Sequence, residues 1–241
     1  MGVRVGGQEV HLGGTKPKTV LSALLLAGEQ VVSDDRLSYV LWRDRPPRTS
    51  DAQIYTYISR LRKAFAGHAN IARQGQGYAM SIGAAMFDWK QFTQLSAQGR
   101  SALANRRYRL ASRYFTDALD LQSGPVLTDT TEYLLSEEAA ALTEARVVSM
   151  EGQIEANLAL GLYEDVVPDL FRLVAKYPFR ERVRAQLMLV LHRCGRQSEA
   201  IALYHQGRRL LAEELGVDPG IQLREVYQGI LMGRPELGDA A

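Results

Sequence analysis

RTSDAQIYTYISRLRKAFA, residues 48–66, carries two patterns at once. At 100° per residue, Ile54, Ile58, Leu61 and Phe65 fall within an arc of roughly 60°, so a helix over 49–65 would bury one apolar stripe. The opposite side carries Gln53, Thr56, Arg60 and Lys63, preceded by Thr49 and Ala52, with Tyr57 at one edge and Arg62 on the other flank. Thr49 or Ser50 can cap the first turn, and Asp51, the only acid of the stretch, stands at the positive end of the helix dipole. The outward groups are of the kind that touch DNA: Arg and Lys reach guanine acceptors or phosphates, Gln pairs with adenine, and a threonine methyl meets thymine. Taken alone, the stretch reads first as an ordinary amphipathic surface helix with a solvated basic face. Its surroundings decide.

Ahead of it, Thr15 opens a helix across Pro17, where a missing N–H is tolerated, and Val20, Leu21, Leu24 and Leu25 form its apolar face up to Gly28. Val31-Val32 is briefly extended. Ser33 then caps a second helix, with Asp34 and Asp35 in its first turn and Leu37, Val40, Leu41 and Trp42 as its buried set; Pro46-Pro47 ends it. Short strands come first, VRV at 3–5 and EVHL at 9–12 around Gly6-Gly7. A hairpin comes last, with β-runs at 71–73 and 78–82 around Gly75-Gln76-Gly77. This is the element order of a winged helix, whose third helix enters the major groove while the hairpin lies against neighbouring backbone or minor groove. Arg73, at the base of the hairpin, is then the natural phosphate contact.

Charge agrees with that order. The chain is +2 overall, but residues 1–87 hold 11 Lys and Arg against 6 Asp and Glu, a net +5, whereas 88–241 hold 18 against 21, a net −3. A basic part joined to a mildly acidic one suits nucleic-acid contact in the first and protein contact in the second. Cys194 is the only cysteine, leaving neither an internal disulfide nor a cysteine cluster for zinc, and the four histidines are scattered; no metal or cofactor is expected. No run approaches the ~18 apolar residues of a membrane span. VLSALLLAG at 20–28 imitates a signal-peptide core but lacks an A-x-A site and reads as a buried helix, so a cytoplasmic, nucleoid-associated protein is expected. Nothing resembles a nucleophile elbow, a phosphate-cradling loop with its lysine, or a kinase signature, so no enzyme is expected. Glu137-Glu138 and Glu213-Glu214 read as solvated helix faces, and Asp34-Asp35 as helix capping in preference to a phosphoacceptor pair.

From Asp88 onward strand signals vanish. Three segments share a small-x3-aromatic or apolar-x2-small or apolar spacing: Ala111, Phe115, Ala118; Val166, Leu170, Leu173; and Ala200, Tyr204, Gly207. The second and third lie 34 residues apart, as in tetratricopeptide repeats, and the first two 55 apart, with Gly124-Pro125 marking the interruption. Leu95, Gly99 and Ala102 occupy the matching first-helix positions of the first repeat. A plain helical bundle is the alternative. The expected fold is α+β, mainly α: a winged helix-turn-helix with short strands and a wing hairpin over 1–85, a tetratricopeptide-like helical domain over 88–231, and a disordered tail over 232–241.

YISRLRKAF at 57–65 with GYAM at 77–80 resembles the recognition helix and wing of the OmpR-type family. LGGTKPKTVLSALLLAGEQVVSDDRLSYVLW at 12–42 narrows this to the Streptomyces antibiotic regulatory proteins. YPFRERVRAQLMLVLHRCGRQSEAIALYHQGRRLLAEELGVDPG at 177–220 is similar to the bacterial transcriptional activator domain of the same regulators. Family members begin with one more strand, of the kind LGPLEV, before the position of Gln8, which leaves the strand count of the first sheet open. The resemblance implies a transcriptional activator that binds promoter direct repeats near the −35 region as a dimer and recruits RNA polymerase through its σ and α subunits. It would serve a biosynthetic gene cluster. Gln53, Thr56, Arg60 and Lys63 are the candidates for base edges, and Arg48, Thr49, Tyr57, Arg62 and Arg73 for phosphates. The alternatives are a helical-repeat interaction scaffold and a repressor on the same fold.

Overall fold

The computed structural model describes residues 2–5, 7–122 and 124–233; the tail expected from 232 lies, from 234 on, outside them. Two strands, β1 (Arg4–Val5) and β2 (Gln8–Glu9), form an antiparallel ribbon. Three helices follow: α1 (Thr15–Leu26), α2 (Asp34–Trp42) and α3 (Ser50–Ala64). Strand β3 (Val32–Ser33) precedes α2, while β4 (Asn70–Gln74) and β5 (Gly77–Ser81) form the hairpin after α3. The sheet order is β3-β5-β4, all antiparallel, so the two-residue strand before α2 pairs with the far arm of the hairpin. Seven helices complete the described chain: α4 (Asp88–Ala104), α5 (Tyr108–Asp120), α6 (Glu132–Ala159), α7 (Tyr163–Lys176), α8 (Glu181–Arg193), α9 (Gln197–Leu215) and α10 (Ile221–Leu231). The architecture is mainly α, a winged helix followed by helical pairs, as expected.

The chain divides into two compact units, Met1–Leu95 with Asp117–Val148, and Ser96–Thr116 with Ser149–Ala241. In the first unit the predicted stripes are the core: Val20, Leu21, Leu24, Leu37, Val40, Leu41, Ile54, Ile58, Leu61 and Phe65 are buried with Ile71, Tyr78 and Met80 of the hairpin. Leu134 of α6, only 1% exposed, belongs to that same cluster. Its helix is tied to α1 and α2 by polar contacts as well. The Thr131 N–H donates to the buried Thr19 hydroxyl at 2.9 Å, and the Thr131 hydroxyl donates to the Val40 carbonyl. Lys18 pairs with Asp129 at 3.3 Å.

Glu137 and Glu138 are not the solvated face that sequence proposed: both pair with Arg36 of α2, Glu138 at 3.2 Å. The first turns of α6 lie against α2, a tertiary contact 102 residues long in sequence for Glu138. Glu213 and Glu214 are exposed, as expected.

In the second unit the repeat spacing corresponds to burial. Phe115 and Ala111 are fully buried, Val166, Leu170 and Leu173 are at most 7% exposed, and Ala200 and Tyr204 are buried on α9. Gly99 and Gly152, both inside helices where glycine is unfavourable, are explained by Phe115. A Cβ at Gly152 would stand 2.5 Å from the Phe115 ring, and one at Gly99 2.9 Å from it. The ring is thus packed between the backbones of α4 and α6. Likewise Gly207 makes room for the buried stem of Arg184, whose guanidinium donates to the carbonyls of Leu203 and Pro178 at 3.1 and 3.3 Å. The 28-residue α6 and the loop before it absorb the interruption between the first two repeats.

Candidate nucleic-acid interface

Helix α3 is built as its periodicity requires: Ile54, Ile58, Leu61 and Phe65 are at most 6% exposed, while Thr49, Thr56, Arg60, Arg62 and Lys63 are exposed and Gln53 and Tyr57 half-buried. Thr49 is the N-cap, yet its hydroxyl makes no cap bond; it accepts from the Gln53 amide at 3.0 Å instead. The Tyr57 hydroxyl donates to the Gln53 amide oxygen at 3.3 Å. Gln53 is therefore held between Thr49 and Tyr57, with one amide hydrogen and an oxygen lone pair still unused, the pair that a bidentate adenine contact needs. Thr56 donates its hydroxyl hydrogen to the Ala52 carbonyl at 2.8 Å, which leaves its methyl and lone pairs for a partner. Among the described residues, Arg48, Arg60 and Lys63 form no ion pair, so three cations stand unneutralised along or beside this face.

The other two candidate cations are committed inward. Arg62 donates its Nε to the Ile71 carbonyl at 2.8 Å and lies over the Tyr78 ring, joining α3 to the wing. Arg73 forks onto Asp34, with Nη1 to Oδ1 at 2.7 Å and Nη2 to Oδ2 at 2.6 Å, and its Nε donates to the Gly75 carbonyl at 3.1 Å. Its hydrogen bond to Asp34 raises the guanidinium pKa above its ordinary value. The hairpin turn that presents Arg73 is two residues long, Gly75-Gln76. Gly75 at φ +55° takes the first central position, and Gln76 is not among the residues of positive φ, the arrangement of a type II′ turn. Gly77 is required for another reason: a Cβ there would be 2.4 Å from the Val32 carbonyl oxygen. Among the described residues no cluster of three metal-ligating side chains occurs, and no helix is long and apolar enough to cross a membrane.

A helix presenting Gln, Thr, Arg and Lys outward, backed by two helices and flanked by a wing, is the geometry in which comparisons with known proteins become specific. The family described as "Transcriptional regulatory protein, C terminal" matches residues 7–80, and "Bacterial transcriptional activator domain" matches 87–231. The chain belongs to the Streptomyces antibiotic regulatory protein family. It is 35% identical to transcriptional regulatory protein MoaR1 of Mycobacterium tuberculosis, over 95% of this chain and 76% of that one. It is 34% identical to regulatory protein AfsR of Streptomyces griseus, over 98% of this chain but 24% of the relative. The solved structure of Mycobacterium tuberculosis EmbR in complex with a low-affinity phosphopeptide superposes with a TM-score of 0.89 at 32% identity, covering 95% of this chain and 62% of that one. The chain therefore spans about a quarter of AfsR and under two thirds of EmbR. Members of this family are transcriptional regulators, not enzymes, and this one carries both of its parts.

Within that family frame, sequence reasoning left three features unread. Tyr55 is 61% exposed on α3, in the arc between stripe and outer face where a helical wheel assigns it to neither. Ser59 is exposed beside it. Asp34 was read only as a first-turn acid, and no local signal could have paired it with an arginine 39 residues away.

Proposed function

We propose that this family member is a sequence-specific DNA-binding transcriptional activator. Helix α3 enters the major groove, with Gln53, Thr56, Arg60 and Lys63 at base edges and Arg48, Thr49, Tyr57 and Arg62 toward phosphates. The observation that carries this reading is the outward face of α3: polar, with Arg60 and Lys63 unpaired, on a helix whose opposite stripe is fully buried. A protein-binding face would be more apolar. By its family, the chain binds direct repeats near a −35 region as a dimer and recruits RNA polymerase through the σ and α subunits at a biosynthetic gene cluster.

Footprinting on DNA flanking its own gene, with and without RNA polymerase, tests this. Tandem protection strengthened by polymerase is the expected result; protection that excludes polymerase indicates a repressor, and no footprint refutes the reading. On the protected duplex, Arg60→Ala weakens binding by about 1–3 kcal/mol and relaxes preference at one position. Lys63→Ala lowers the salt slope by about one if its main contact is a phosphate. Unchanged affinity and preference in Arg60→Ala would remove Arg60 from the site.

A further inference from the structure

Between residues 64 and 86, Arg73 is the sole Lys or Arg, so any cationic contact from the wing must come from it. That group is occupied. Three of its nitrogens face protein acceptors, two of them the oxygens of one carboxylate, and the Tyr78 ring lies 4.7 Å from its guanidinium carbon. Asp34 is itself fixed: it opens α2, where the helix dipole favours an acid, and its N–H donates to the Gln76 carbonyl of the wing turn at 2.9 Å. A phosphate recruiting Arg73 would have to break a bidentate, charge-assisted pair. It would also meet the Asp34 carboxylate at close range.

Resting on the reading of this face as DNA-binding, we propose that Asp34 is a positioning residue that acts as a brake on sequence-independent affinity. It holds Arg73 as a neutral pair, so the wing meets DNA without a phosphate contact and α3 with its neighbouring loop supplies the electrostatic attraction. Each phosphate neutralised by a protein cation contributes about 0.9 to the slope of log affinity against log salt. Releasing Arg73 adds one such contact on any sequence.

The test measures binding by the full chain to the footprinted duplex and to a scrambled duplex of equal composition, from 50 to 200 mM salt. Asp34→Asn is expected to steepen the slope by about 0.9 on both duplexes, so that affinity falls about 3- to 4-fold further across that range than in the parent. Asp35→Asn removes the same charge from the same turn, at an exposed residue that pairs with no arginine, and is expected to leave the slope unchanged. The double change Asp34→Asn, Arg73→Ala removes the whole pair and is expected to restore the parent slope. The proposal is overturned if Asp34→Asn matches Asp35→Asn. It is equally overturned if the double change falls about 0.9 below the parent, because Arg73 would then already hold a phosphate. A parent chain that binds neither duplex sinks the DNA reading itself. A parent that binds, and loses binding with Arg60→Ala while Asp34→Asn has no effect, sinks only the brake.

Discussion

Replacing Leu134 by Ala tests whether the start of α6 is part of the winged-helix core. Leu134 is 1% exposed and packs in the cluster formed by α1, α2, α3 and the hairpin. A Leu-to-Ala change at a fully buried site costs about 2–5 kcal/mol, through lost transfer energy and the cavity left behind. The ion pairs of the same contact are weaker: the Arg36, Glu137 and Glu138 side chains are 38%, 29% and 31% exposed, and partly solvated pairs contribute about 0–1 kcal/mol each. Leu134→Ala should therefore outweigh removal of both glutamates. With ~3 kcal/mol lost, and ~2–4 °C per kcal/mol for a chain of this size, the midpoint of thermal unfolding falls by about 6–12 °C. Amide exchange in α1–α3 should accelerate with it, since those helices share the cavity. Calorimetry and hydrogen exchange read the two effects. A loss under about 1 kcal/mol, or unchanged exchange in α1–α3 despite a lowered midpoint, would refute the claim that this helix completes the winged-helix core.

Two glycines give independent tests. Gly77→Ala sets a Cβ 2.4 Å from the Val32 carbonyl oxygen, so β3 and β5 must separate; a loss of at least 1–3 kcal/mol and broadened wing resonances by NMR are expected, and an unperturbed wing would contradict the packing. Gly152→Ala drives a Cβ to 2.5 Å from the Phe115 ring, an overpacking cost of about 1–3 kcal/mol offset by up to ~1 from helix propensity. Adding Phe115→Leu should relieve that crowding, so denaturant unfolding of the double variant shows a coupling energy whose absence would place the ring elsewhere.

Much of the site was legible from sequence because it is local. The 3.6-residue period assigned Ile54, Ile58, Leu61 and Phe65 to the core and Gln53, Thr56, Arg60 and Lys63 to the outside, and every one of those burials follows from helical geometry alone. Ser33 was readable as an N-cap for the same reason: its hydroxyl accepts from the Arg36 N–H three residues on. The failures are non-local. Thr49 looked like a capping side chain, but its hydroxyl is taken by Gln53, which is itself held by Tyr57. Glu137 and Glu138 looked solvated because their partner, Arg36, is about a hundred residues away.

By itself the sequence determined the helices, the order helix, helix, basic helix, hairpin, and the family, since these rest on periodicity, turn residues and motifs within short windows. The tertiary structure alone decided three things: that the strand before α2 joins the hairpin, that Leu134 enters the winged-helix core, and that Asp34 meets Arg73. Each joins segments far apart in the chain. Only folding brings such groups within a few ångströms, where a carboxylate can neutralise a guanidinium or an apolar side chain can fill a cleft.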